Sequence, residues 1–257
     1  MPMTSPVSTP PLTDGERLTR DEFMRRWEAM PDLYWAELID GIVHMPSPVS
    51  RIHGGSHGAL TIWLASYVIA TRGCVLLPDT TWLMSGESVP QPDIALIILP
   101  QHGGQSTVEG EYAAGAPELI VEVSHTTSTR DTGAKLRLYQ RSGVLEYLIV
   151  RPGKQQIAWR ELAEGTYRDI ETGPDGLLRS RVFPGLWLNP TQLWNGDFPG
   201  LSATIQQGAA TPEHAAFVRK LSRRPWSGSV LHTGDSYADD ISSLDATVGR
   251  RRAPHAR

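Results

Sequence analysis

Two apolar stretches of this sequence each carry one carboxylate where burial is expected. Asp93 opens the run DIALIIL, and Glu122 lies inside PELIVEVS at 117–124. A carboxylate in an apolar strand is costly unless it is hydrogen-bonded, paired or bound to a metal. Because side chains alternate along a strand, two neighbouring strands would place Asp93 and Glu122 side by side. Their mutual repulsion would then require a proton or a cation between them.

Carboxylate oxygens in this arrangement suit Mg²⁺ or Mn²⁺, which proteins hold with one or two carboxylates, waters and a phosphate. Lys135 follows in RDTGAKLRLYQRSG, a segment with the pattern of an amphipathic helix. Packed against the sheet, this helix would bring the ammonium group to the carboxylates, where it could balance charge or orient a water. The set favours metal-assisted phosphodiester hydrolysis. Two strand-end acids exposed to water and a solvated lysine remain the alternative.

The elements that must position these residues have the order of a mixed α/β protein. A capping box at 19–22 predicts a short helix that ends near residue 30. The segment 35–45 predicts a hairpin with its turn at Asp40–Gly41, and 54–70 predicts an apolar helix. Further along the chain we expect strands at 74–79 and 80–84, the Asp93 strand and a glycine-rich loop at 101–116. The Glu122 strand, a helix at 130–143, a strand at 144–150 and a hairpin at 154–171 are expected to follow.

This order predicts a mixed α/β fold with a central sheet covered by helices. We expect residues 1–17, rich in Pro, Ser and Thr, to be disordered, and residues 18–200 to form one domain. The C-terminal extension, 201–257, is expected to hold a short helix at about 211–222 and then a disordered tail. Tyr139 lies one turn beyond Lys135, and core packing is favoured for it over a place in the site.

Composition excludes several classes of protein. The formal net charge of −4 argues against a protein that coats DNA non-specifically. Cys74 is the single cysteine, so an intramolecular disulfide is excluded. The first residues lack the basic and apolar regions of a secretory signal, and no apolar run is long enough to span a bilayer. We therefore expect a soluble, cytoplasmic protein.

Several segments together resemble one family. The segments PQPDIALI and PELIVEVSHTTSTRDTGAKLRLYQRSGVLEYLIV, with WAELIDGIVHMPSPVSRIHG before them and FPGLWLNPTQLW after them, occur in the order found in the Uma-type family of putative restriction endonucleases. That family belongs to the PD-(D/E)XK nuclease superfamily. The resemblance covers roughly residues 18–200 and implies a restriction-endonuclease-like core.

The resemblance also implies roles for individual residues. Asp93 and Glu122 match the metal-binding acids, and the carbonyl of Val123 would be a further metal ligand. The usual lysine of the superfamily is absent, because Ser124 stands at its position. Lys135, on the next helix, matches the lysine that substitutes for it in this family.

Two upstream residues match the family more loosely. Glu37 corresponds to an acid that often joins the site, although a core-edge acid hydrogen-bonded to backbone is an equal alternative. His53 corresponds to a histidine that opens the first core helix and could contact a substrate phosphate. His53 and His57 are four residues apart and could bind zinc on a helix face, but the sequence nearby shows no third ligand.

The resemblance therefore implies a Mg²⁺- or Mn²⁺-dependent endonuclease that cleaves DNA with a metal-activated water. The Lys135 helix and the 101–116 loop would border the DNA, and cleavage of both strands would suit a homodimer. One alternative is a non-catalytic module on the same fold that binds nucleic acid or a partner. Another is a metal-dependent hydrolase of RNA or nucleotides.

Overall fold

The computed structural model describes residues 9–124 and 133–222. Its helices are α1 (Arg20–Glu28), α2 (Arg51–Ala70), α3 (Lys135–Ser142), α4 (Pro190–Trp194), α5 (Phe198–Ala209) and α6 (Pro212–Ser222). Its strands are β1 (Glu37–Ile39), β2 (Ile42–His44), β3 (Cys74–Pro78), β4 (Trp82–Leu83), β5 (Ile94–Ile98), β6 (Thr107–Glu109), β7 (Tyr112–Ala114), β8 (Leu119–Val123), β9 (Glu146–Arg151), β10 (Gln156–Ala163), β11 (Thr166–Asp169), β12 (Leu178–Arg179) and β13 (Trp187–Leu188).

A six-stranded mixed sheet forms the centre of the molecule, with the strand order β11-β10-β9-β8-β5-β3. Only β8 and β9 are parallel among these pairs; the other neighbours are antiparallel. A parallel pair needs a crossover connection, and α3 lies in that connection. The mixed α/β fold with a central sheet flanked by helices is confirmed.

The two faces of this sheet bury different helices because side chains alternate along each strand. On one face, Leu96 and Val121 join the cluster that contains Trp63 of α2. On the other face, Ile97 and Ile120 join the cluster that contains α3 residues, among them Leu138 and Tyr139. Glu122, inside β8, shares the parity of Ile120 and contacts α3, whereas Asp93 directly precedes β5 and contacts His53 of α2.

The β1–β2 hairpin covers the end of the sheet beside α3. Its turn residues, Asp40 and Gly41, have φ angles of 53° and 77°, the left-handed geometry of a two-residue hairpin turn. Asp40 also forms an ion pair with Arg141 at the end of α3. Val89 pairs with Leu38 through two backbone hydrogen bonds of 2.7 and 3.0 Å. These contacts fix β1, and with it Glu37, over the sheet.

The predicted disorder at 1–17 is wrong for residues 9–17. Leu12 is 5% exposed and joins a core cluster with Phe23 and Val43. The amide of Gly15 donates a hydrogen bond to Val43 O at 2.8 Å, so this segment pairs with the backbone of β2. A polar, proline-rich composition does not reveal such an edge pairing. Residues 1–8 lie outside the described part of the chain.

The 101–116 segment is also more regular than the glycine-rich loop expected from its sequence. It contains the β6–β7 hairpin, and β7 pairs in parallel with β4 to form a three-stranded sheet. Gly110, with a φ of 62°, helps turn this hairpin. The strands are only three residues long, and Thr107–Glu109 is exposed, so no alternating apolar pattern announces them.

Beyond residue 200, two helices continue the core. Leu201 and Ile205 of α5 and Leu221 of α6 belong to the cluster on the α2 face of the sheet. A Cβ added at Gly208 would lie 2.1 Å from Gly185 O, so the bare backbone of α5 packs directly against that loop. The structure has a helix, α6, where the sequence predicts one at about 211–222. The predicted tail, 223–257, lies outside the described residues.

Glu146, at the start of β9, is a fully buried acid that holds the 180–182 segment. Its carboxylate accepts hydrogen bonds from Arg181 N at 2.6 Å and Val182 N at 3.0 Å. Ser180 Oγ and Trp159 Nε1 donate to it as well. Burial raises the pKa of Glu146 from 4.5 to about 7 against the opposing effect of these donors.

This pKa predicts a pH-dependent stability. Between pH 4.5 and about 7, Glu146 keeps its proton in the folded protein but loses it in the unfolded chain. The proton therefore stabilises the folded state at the low end of this range, and that stabilisation is lost as the pH rises toward 7. The loss is about 3 kcal/mol. Chemical denaturation across this pH range should show a steeper loss of stability with rising pH in wild type than in Glu146→Gln. Glu171→Gln, an exposed control, should keep the wild-type slope, and equal slopes in all three proteins would contradict the assignment.

None of the helices in residues 9–124 and 133–222 combines the length and the hydropathy of a membrane-spanning segment.

Candidate active site

Asp93 and Glu122 are brought together by the register of two neighbouring strands. Ile94 of β5 lies opposite Val121 of β8, and one further step of this antiparallel register sets Asp93 opposite Glu122. The amide of Val123 donates to Asp93 Oδ2 at 2.6 Å, which ties Asp93 to the end of β8. The two acids therefore meet at the sheet edge where β5 begins and β8 ends.

Lys135 lies between two buried carboxylates. Its Nζ is 2.8 Å from Glu122 Oε1 and 2.7 Å from Glu37 Oε1. Lys135, Glu37 and Glu122 are 3%, 0% and 4% exposed, so all three charges are removed from water. Helix α3 begins at Lys135, and its apolar face packs on the sheet, which directs the ammonium group toward β8 and β1. Burying such charges is weak evidence of a purely stabilising role.

Tyr139 belongs to the same cluster, although its sequence position favoured core packing. Its hydroxyl donates to Glu122 Oε1 at 2.8 Å, and the ring is fully buried. Burial and the neighbouring Glu122 charge raise the pKa of Tyr139 well above its usual value, so the phenol keeps its proton and remains a donor. Lys135 and Tyr139 are four residues apart, and this helical spacing was the only sequence signal for the contact.

Glu37 uses its two oxygens differently. Oε1 accepts from Gln91 N at 2.9 Å as well as from Lys135. Oε2 is buried and has no hydrogen-bond partner among the described residues. Glu37 therefore accepts a hydrogen bond from the backbone and also pairs with Lys135, and its predicted role in the site stays a prediction. A buried carboxylate oxygen without a partner requires a proton, a water or a cation nearby.

His53, in the first turn of α2, approaches the site from its outer side. Its Nε2 lies 3.5 Å from Asp93 Oδ1, and the carbonyl of Val123 also interacts with its ring. The hydrogen bond to Asp93 raises the pKa of His53, and burial only partly opposes this. Burial would raise the pKa of Asp93, but His53 and the Val123 amide outweigh it and lower that pKa.

His57 contacts the backbone of Asp93 instead of pairing with His53 around a metal. Its Nε2 lies 2.9 Å from Asp93 O, and its ring is parallel to that of His53 at 6.3 Å. Across residues 9–124 and 133–222, no group of three or more His, Cys, Asp and Glu residues is arranged to hold a metal ion by itself. The zinc alternative therefore gains no third ligand from the described chain.

The donor set nevertheless fits a hard divalent cation. The carboxylates of Asp93 and Glu122 and the carbonyl of Val123 are oxygen donors, the ligand type that Mg²⁺ and Mn²⁺ prefer. Mg²⁺ usually keeps several waters and needs only one or two carboxylates from the protein. The unpartnered Glu37 Oε2 adds buried negative charge beside these donors. These donor types are therefore compatible with a cation that keeps several of its waters.

The Tyr139 contact predicts a specific defect. Tyr139→Phe removes the donor at 2.8 Å from Glu122 and should cost about 1.5–3 kcal/mol of unfolding free energy, the range for a hydrogen bond to a charged group. It should also slow any reaction that needs Glu122 held in place. Tyr167→Phe is the matched control, because its hydroxyl donates to the backbone at Val144 O. That variant should lose stability but not activity; equal activity in both variants would remove Tyr139 from the site.

Comparison with protein family models assigns the chain to a family. The family model Uma2, described as "Putative restriction endonuclease", matches residues 20–191. The match covers most of the chain and includes all six predicted site residues, Glu37, His53, Asp93, Glu122, Val123 and Lys135. The chain belongs to this family.

A solved structure shares the fold. The crystal structure of a putative nuclease belonging to DUF820 from Anabaena variabilis matches with a TM-score of 0.56 and 19% sequence identity. The match covers 69% of this chain and 98% of the other. No curated protein matches the sequence. Family and fold together support a nuclease.

Proposed function

We propose that this protein is a Mg²⁺- or Mn²⁺-dependent endonuclease that hydrolyses phosphodiester bonds of DNA. The observation that carries the proposal is the buried cluster in which Lys135 Nζ lies 2.7 and 2.8 Å from Glu37 and Glu122. Two carboxylates pair with this one lysine, and Asp93 at the neighbouring strand end adds a third, so the excess negative charge favours a divalent cation. Family membership and the shared nuclease fold support the same reaction class.

Asp93, Glu122 and the carbonyl of Val123 are the residues that would hold the ion. When bound, a divalent cation supplies charge neutralisation for a phosphate and lowers the pKa of a water. The Lys135 ammonium is held in place by two carboxylates, and at this position it would offset negative charge that develops on a phosphate. Tyr139 donates a hydrogen bond that keeps Glu122 in its rotamer, and His53 lies 3.5 Å from Asp93.

We further propose DNA as the partner and a homodimer as the active assembly for double-strand cleavage. One chain carries one such cluster among its described residues, and two strands need two sites. The β6–β7 hairpin and α3 are the elements proposed to border the DNA. Exposed Arg137 on α3 offers a phosphate contact.

Cleavage assays with three substrates test the proposal. Supercoiled plasmid, linear duplex DNA and single-stranded RNA are each incubated with the protein in Mg²⁺, Mn²⁺ or EDTA. We expect plasmid nicking with either metal and none in EDTA. Cleavage of RNA alone would replace DNA as the substrate. Binding of DNA without cleavage under any condition would favour the non-catalytic module.

A further inference from the structure

Two large apolar side chains face solvent where helix α2 begins. Val49 is 73% exposed and Ile52 is 50% exposed, although both are residue types that folding usually buries. Arg51, between them in the sequence, is exposed as well. Residues 49–52 form the α2 tip. One exposed apolar side chain is common on a protein surface, so the position of these two must show whether they have a role.

The capping of α2 does not account for Val49. An apolar residue directly before the N-cap often packs against the fourth residue of the helix, a contact known as the hydrophobic staple. Val49 directly precedes the N-cap residue Ser50, but the fourth residue of α2 is Gly54, which has no side chain. Formation of the helix therefore gives no reason for an apolar side chain at position 49.

The α2 tip is held in a fixed position beside the candidate active site. The Ser50 hydroxyl accepts a hydrogen bond from His53 N at 3.2 Å, which ties the tip to the first helical turn. Pro46 and Pro48 restrict the backbone just before the tip. Nε2 of His53 lies 3.5 Å from Asp93 Oδ1. A molecule bound at Asp93 would therefore lie close to the tip.

Ile52 also lies near the end of β8. Together with His53 it lines a small cleft, and Val123 and Gly153 contribute to the same cleft. Val123 directly follows Glu122, the second proposed metal ligand. The exposed part of Ile52 is therefore close to the strand end that carries the carboxylate cluster.

The surroundings of the tip favour a nucleic acid over a protein partner. Residues 46–78 contain Arg51 and Arg72 but no Asp or Glu. A stable protein interface buries about 800 Å² on each partner, far more than two side chains provide. A nucleic-acid strand offers phosphates to an arginine, and its sugars and base faces are apolar surfaces that Val49 and Ile52 can contact.

We propose that Val49 and Ile52 form a wedge that inserts between bases of duplex DNA at the cleavage site, while Arg51 contacts the DNA backbone. Proteins that distort DNA use apolar side chains in this way to unstack a base step. Glu122 and Lys135 are 4% and 3% exposed, so a locally distorted strand reaches them more easily than an undisturbed duplex. The inference rests on the proposed DNA nuclease function.

Binding to matched and mismatched DNA tests the wedge. Anisotropy is titrated in Ca²⁺ with two fluorescein-labelled duplexes, one fully matched and one with a central mismatch. Wild type should bind the mismatched duplex about tenfold more tightly, because unstacking costs least at a mismatch. The double variant Val49→Ser/Ile52→Ser should bind both duplexes equally and bind the matched one about tenfold more weakly than wild type does, since it loses the apolar contact.

Two further variants separate the wedge from charge and from general surface effects. Arg51→Gln should reduce the slope of log affinity against log salt concentration by about one and keep the preference for the mismatch. Ile69→Ser is the matched control, because Ile69 is 85% exposed near the other end of the same helix. It should bind both duplexes as wild type does.

Unchanged DNA binding by Val49→Ser/Ile52→Ser would overturn the wedge, and metal-dependent nicking by wild type would still support the nuclease. Analytical ultracentrifugation of the same double variant gives a second check. A smaller assembly than wild type, with unchanged DNA affinity, would make the tip a protein interface and overturn the proposal. A wild-type protein that neither binds nor cleaves DNA would overturn both the wedge and the DNA nuclease.

Discussion

Lys135→Met should lower the free energy of unfolding by about 3–5 kcal/mol and abolish DNA cleavage. Methionine matches the length of lysine but leaves Glu37 and Glu122 buried without the ammonium group that lies 2.7 and 2.8 Å from them. Removing one partner of a buried ion pair costs far more than removing the whole pair. Urea denaturation measures the loss, and plasmid nicking measures the activity.

Two companion variants separate charge from packing. The triple variant Glu37→Gln, Glu122→Gln, Lys135→Met removes all three charges and should recover most of the lost stability while remaining inactive. Lys154→Met replaces an exposed lysine and should match wild-type stability. If Lys135→Met unfolds at the wild-type urea concentration, the cluster is hydrated and the buried ion triad is wrong.

Asp93→Asn and Glu122→Gln should each reduce plasmid nicking by about a thousandfold or more, which corresponds to about 4 kcal/mol of activation free energy. Each change keeps the shape of the side chain but removes one charged oxygen ligand. Asp93→Asn is the easier variant to interpret, because Glu122→Gln would also break the ion pair between Glu122 and Lys135.

Glu118→Gln is the matched control for these two variants. Glu118 is a buried acid that directly precedes β8. Its carboxylate accepts hydrogen bonds from the backbone amides of Ile98 and Gln105. Its substitution should leave nicking within a fewfold of wild type. Loss of activity in Glu118→Gln equal to that in Asp93→Asn would show that the defect is structural.

The core of the site was predictable because its signals are local. An acid inside an apolar strand implies a partner, and the strands around Asp93 and Glu122 carry that signal clearly. The lysine one element later and the hairpin turn at Asp40–Gly41 follow from similarly short patterns. Strand alternation predicts that both acids lie on one side of the sheet without knowledge of the full topology.

The features that sequence reasoning missed depend on contacts between distant segments. Tyr139 is apolar in pattern, and only the packing of α3 on the sheet shows that its hydroxyl meets Glu122. Helix α5 contains Pro199, Gly200 and Gly208, which weaken its local propensity, and packing against the core decides its conformation. The pairing of Gly15 with Val43 has no local signal either.

Isothermal titration calorimetry tests the carboxylate cluster most directly, when it measures Mn²⁺ binding to wild type, Asp93→Asn and Glu118→Gln. The account predicts a binding site in wild type that Glu118→Gln retains and Asp93→Asn loses. Equal Mn²⁺ affinity in wild type and Asp93→Asn would contradict the proposed metal site at Asp93 and Glu122.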